Sequence, residues 1–239
     1  MGISLSSWLS TPRSGEDGLS RRHFWLRVML PGFLIFLAAN GVAASHDSEI
    51  TFYHLVVDPL EYADLPHYIG ALSVFGCLLW MTAASLCLGT AALVTSAQKF
   101  PRSRLSYLVY LGGFLLVLLL DDTYQLHENF KSMVAFNGAL QSLDKNWFEG
   151  SFFLAYAIAA TWIVTKFRRV VRQTNLYILG CFVVLMALST IADVLLDYSV
   201  PFCHQIEEGA KFLGIVAAVG YCLDLSCGSL RIWHGLKID

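Results

Sequence analysis

The sequence predicts an all-α bundle of six membrane-spanning helices with both termini in the cytoplasm. Three observations carry that expectation. The 239 residues are 56% hydrophobic and only 14% charged, against about 25% charged in an average soluble domain, and the mean hydropathy is +0.58. Six stretches each approach the roughly 20 apolar residues that a spanning helix needs. None of them alternates as a strand does, and in lipid only helices and closed barrels satisfy their own backbone polar groups.

The elements follow in order. Residues 1–23 form a cytoplasmic tail, with Ser and Gly over 14–20 marking it as mobile. The first span covers 24–44. A cleavable signal is the rival reading there, because small residues stand at Ala43-Ala44-Ser45. Its apolar run exceeds the roughly 7–15 residues of a signal core, which favours an uncleaved helix. Pro31 should kink it, a feature membrane helices tolerate. Segment 45–68 mixes Phe52, Tyr53 and Leu55 with five acids and three histidines, and is expected to lie along the interface. The second and third spans fall at 69–96 and 105–127. The fourth occupies 147–167, the fifth 174–196, closed by Pro201, and the sixth 205–228. Together 24–230 make one membrane domain, and 231–239 a short cytoplasmic tail.

Lys and Arg set the orientation, because cytoplasmic loops carry their excess. Thirteen of the sixteen flank one side of the spans, from Arg13 and Arg21 through Arg104 and Lys166 to Lys237. Lys131, Lys145 and Lys211 remain for the other. The net charge of −2 and the scattered basic residues offer no patch of the kind nucleic acid needs. The expected location is a cell membrane, with a prokaryotic inner membrane the leading setting. Six cysteines show no CxxC or CxxH spacing, so they read as small packing residues.

A faint internal repeat is also present. Leu30-Pro31-Gly32-Phe33, Leu111-Gly112-Gly113-Phe114 and Leu179-Gly180-Cys181-Phe182 are each followed, eight residues past the third position, by Asn40, Asp121 or Ser189. Parallel hairpin repeats about the membrane normal would produce such a pattern, as would chance among Leu/Gly-rich helices.

The chemistry-bearing residues gather at the side opposite the Lys/Arg excess. Asp121, Asp122, His127 and Glu128 end the third span; His204, Glu207, Glu208 and Lys211 open the sixth; Asp193 and Asp197 lie in the fifth and Glu149 in the fourth. Charge within a span is costly and usually paired or functional. His204, Glu207, Glu208 and Lys211 are spaced i, i+3, i+4, i+7 and share a helix face. Asp121 shares a stripe with Gln125 and Glu128, whereas Asp122 and His127 point elsewhere. Imidazole and carboxylate suit Zn, Fe or Mn, so Asp122, His127, Glu128, His204, Glu207 and Glu208 are the candidate ligands, of which a subset would hold one ion. Asp121 and Asp193 would orient ligands or act as general bases, and Lys211 would hold a carboxylate or an anionic lipid headgroup. His204-x2-Glu207 reverses the Glu-x-x-His order of di-iron bundles.

The two clusters resemble a signature of uncharacterised bacterial and archaeal multi-pass membrane proteins, which read Asp-[Asp/Glu]-x4-His-Glu and later Glu-Glu-x2-Lys. Here Asp121-Asp122-x4-His127-Glu128 and Glu207-Glu208-x2-Lys211 fill those positions. The resemblance implies that the two clusters work together and brings no activity with it. Alkaline-ceramidase-like membrane hydrolases are not matched, because the chain lacks His-x3-His.

Three functions follow as expectations: a metal-dependent membrane enzyme acting on a lipid or lipid-like substrate, a non-catalytic subunit of a larger membrane complex, and a proton or cation transporter. Against transport stands Asp224, the one acid in the cytoplasmic half of any span.

Overall fold

A computed structural model describes residues 20–45, 71–95, 100–126, 145–195 and 203–235. Over these the chain is helical. We name the main helices α1 (Arg21–Phe24, continued through Trp25–Met29 and Leu30–Ser45), α2 (Ala71–Thr95), α3 (Arg102–Tyr124), α4 (Lys145–Lys166), α5 (Leu176–Leu195) and α6 (Cys203–Trp233). Each coincides with one predicted span. Five of them are long and apolar enough to cross a membrane; α4 carries a shorter apolar stretch, Gly150–Lys166. The outer faces agree with a lipid environment, since Leu78, Ile158 and Val184 are 58%, 61% and 65% exposed. Apolar exposure on that scale over many neighbouring residues marks a surface that does not meet water. The interfacial segment predicted at 45–68 and both tails' outer parts lie outside the described residues.

Local chemistry sets the helix ends. Ser20 caps α1 through its side chain, which accepts from the His23 amide at 3.3 Å. Pro101 precedes α3, and its carbonyl accepts from Arg104 and Leu105. Asn175 accepts from the Ile178 amide at 3.4 Å to start α5. α3 stops at Tyr124 because Gln125 adopts a left-handed conformation with φ 47° and donates its amide to the Asp121 carbonyl. The sequence placed the end of this span at 127. The observed end leaves Asp121 three residues from it rather than six, about 4.5 Å along the axis at 1.5 Å per residue.

A widened turn of α1 precedes Pro31. Residues Trp25–Met29 form a π turn in which the Leu30 amide bonds to the Trp25 carbonyl. A proline ring has no amide to give and crowds the carbonyl four residues back, here that of Arg27. Widening the preceding turn relieves that contact.

α6 is the hub. Its residues Ile215, Ala217, Ala218, Tyr221, Cys222 and Leu225 are almost fully buried. Small residues allow close approach to α1: a Cβ on Gly209 would meet the Phe36 ring at 2.6 Å, and one on Gly220 would meet Val28 at 2.9 Å. Helix pairs in membranes associate through such small-residue contacts. α5 packs along α6, α2 packs on both α6 and α3, and α4 sits at the periphery against α3 and α5. Consecutive helices pack closely for α2 with α3 and for α5 with α6, while α1 rests on α6. The glycines of the apparent repeat are not equivalent: a Cβ at Gly112 would meet Leu88 at 2.7 Å, whereas Gly180 faces open space.

Candidate functional site

The charged residues at the C-terminal end of α3 and the N-terminal end of α6 come together. Lys211 Nζ lies 2.6 Å from Asp122 Oδ1 and 3.9 Å from Glu208 Oε1. Glu207 is also within electrostatic reach of the same ammonium. The Asp122 and Lys211 side chains are 10% and 29% exposed, so the pair is largely shielded. Helix direction adds to this arrangement. Asp121 and Asp122 stand in the last turn of α3, where the helix dipole is negative and disfavours acids. A cation from α6 offsets that penalty.

The adjacent acids serve different neighbours, as their positions around the helix require. Asp122 Oδ2 receives a long contact from the Cys77 thiol of α2 at 4.0 Å. Thr123 Oγ1 lies 3.6 Å from the same sulfur and also donates to the Leu119 carbonyl at 2.7 Å. Asp121 turns to α4 and is 5% exposed, accepting a hydrogen bond from the Tyr156 hydroxyl. Asp193 is half-buried on α5. Cys77 and Tyr156 were not anticipated. A thiol among apolar neighbours looks like packing, and a tyrosine in a span looks like an interface residue.

The predicted metal ligands divide. Asp122, Glu207 and Glu208 are described; His127 and Glu128 lie outside the described residues, as does the His204 side chain. Among the described residues no group of three or more His, Cys, Asp and Glu gathers to hold a metal ion. Asp122 has the Lys211 ammonium against one oxygen.

The opposite end of the bundle holds a second polar group that sequence reading missed. Arg104, only 7% exposed, donates through Nε to Ser229 Oγ at 3.0 Å. Asp224 is electrostatically coupled to it. Tyr107 and Tyr221 hydroxyls are 2.7 Å apart, and Thr174 Oγ1 is 3.0 Å from Tyr221. Arg104 reads in the sequence as one more flanking charge. Only the packing reveals that it points inward, toward space left by Gly228.

A family model described as a domain of unknown function, DUF8692, matches residues 31–225. The chain belongs to the DUF8692 family. No curated protein and no solved structure matches it. The DUF8692 match takes in Asp121, Asp122 and Lys211 and also Arg104 and Asp224, and leaves out Ser229 and the π turn of α1. The family description assigns no activity.

Proposed function

We propose that this DUF8692 protein is an integral membrane enzyme with a cation-binding His/carboxylate centre at the extracytoplasmic leaflet, acting on a lipid or lipid-like substrate. One observation carries the reading: the Lys211 ammonium faces the carboxylates Asp122, Glu208 and Glu207. Carboxylates gathered around a cation in a low-dielectric setting form a polar centre of the kind that takes up protons or metal ions. Glu207 and Glu208, with His204 one turn earlier on the same face and His127 and Glu128 just past α3, have the donor types that suit Zn, Fe or Mn. Such an ion would polarise an ester or phosphoryl oxygen. Lys211 would hold Asp122 in place and attract an anionic headgroup. The Lys and Arg distribution supports placing this end outside the cytoplasm.

Elemental analysis of the purified chain tests this. One Zn, Fe or Mn per chain, lost on joint Glu208→Gln and His204→Ala substitution, is expected. Absence of stoichiometric metal from protein purified without chelator would overturn the metal-dependent reading.

The close Lys211–Asp122 contact also favours a second reading, in which the cluster fixes the register of α3 against α6 in a non-catalytic subunit. That reading requires co-purifying partner subunits, and a monodisperse protein without partners would exclude it.

A further inference from the structure

α1 and α5 both lie against α6 without closing on each other, and a groove of about 830 Å³ runs between them. Its lining is apolar, with Phe33 of α1, Val184 of α5 and Leu213 of α6 among the contributors. One end is pinned shut: Trp25 Nε1 donates to Tyr177 Oη at 2.7 Å, and the Phe24 ring meets Tyr177 edge-on. Arg21 lies over the same tyrosine ring at 4.9 Å, and Arg22 and Arg27 are exposed nearby in the chain. No acid occurs over 20–45 or 176–192. Positive charge at the end of an apolar groove is the pattern of a lipid headgroup above its acyl chain.

We propose that the groove binds an anionic phospholipid, its phosphate at Arg21 and Arg22 and one acyl chain along Phe33, Val184 and Leu213. Guanidinium pairs well with phosphate, and basic residues beside a membrane select anionic lipids. A peptide segment fits less well, because its backbone would bring unsatisfied polar groups against an apolar lining. A second copy of the chain presenting an apolar helix face would leave the guanidiniums unmatched. The headgroup end lies at the opposite end of the helices from Lys211.

Native mass spectrometry of the full chain in detergent, offered equal phosphatidylglycerol and phosphatidylcholine, tests the proposal. The unmodified protein should retain one phosphatidylglycerol in preference to phosphatidylcholine by about tenfold, given two basic groups near the phosphate. Arg21→Gln with Arg22→Gln should reduce the preference to about twofold or less. Gly180→Leu should lower retention of both lipids, and it should fold, because a Cβ at Gly180 meets no atom within 4 Å. Equal retention of the two lipids by the unmodified protein would overturn the proposal. So would undiminished retention by Gly180→Leu, or a dimer that excludes lipid from the groove.

Discussion

Lys211 of α6 and Asp122 of α3 form an ion pair 2.6 Å long, and it ties the hub helix to the helix that carries the other acidic cluster. Removing one partner strands the other. Lys211→Met should therefore destabilise the protein by about 3–5 kcal/mol, the usual cost of an uncompensated buried charge. Joint Lys211→Met and Asp122→Leu substitution should recover most of the loss. Thermal unfolding in detergent across the four members of this cycle measures it, and additive losses would show that the pair is not coupled.

Tyr156 predicts a smaller effect of a different kind. Its hydroxyl satisfies Asp121, which is 5% exposed. Tyr156→Phe removes that donor and should cost about 1–3 kcal/mol, without disturbing the Lys211 pair. Asp121→Asn with Tyr156→Phe should cost less than the sum of the two, again read from unfolding midpoints.

Gly112 and Gly180 occupy equivalent places in the apparent repeat but should respond in opposite ways. Gly112→Val drives a side chain into Leu88, 2.7 Å from the new Cβ, and should destabilise the α2–α3 contact by about 1–3 kcal/mol. Gly180→Ala faces open space and should be neutral or slightly stabilising, since alanine favours a helix over glycine by about 1 kcal/mol. Equal responses would mean that the two glycines share one packing role after all.

Arg104 gives a test at the other end. Gly228→Leu fills the space beside its guanidinium, where even a Cβ would come within 3.2 Å of a terminal nitrogen. Displacing Arg104 breaks its bond to Ser229 and weakens its coupling to Asp224. The expected cost is about 1–3 kcal/mol, with Gly228→Ala milder, both checked by the same unfolding measurement. No loss in Gly228→Leu would show that Arg104 does not depend on that space.

Much of the helical layout was legible in the sequence because apolar length alone decides it. The stretch predicted at 69–96 is the helix Ala71–Thr95, and that at 174–196 is Leu176–Leu195. The split of Asp121 from Asp122 was legible too, since neighbouring residues point about 100° apart on a helix. Partner identity was not. Nothing local says that Lys211 chooses Asp122, that Cys77 stands beside it, or that Tyr156 reaches Asp121. Those pairings depend on which helices become neighbours, and α1 resting on α6 could not be foreseen from hydropathy. Arg104 was misjudged for a related reason: a cation near a helix end looks the same in sequence whether it reaches for water or turns inward.

The α1–α6 seam has a mechanical consequence. Phe24 and Val28 meet Gly220, Gly32 meets Val216, and Phe36 meets Gly209. Those α1 residues recur every fourth position, a spacing that drifts about 40° per step around a regular helix. The wide turn at Trp25–Met29 takes back part of that drift, so one straight row stays engaged over most of the contact. A row interlocked in this way resists rotation and sliding together. α1 should thus move with α6 rather than slide along it.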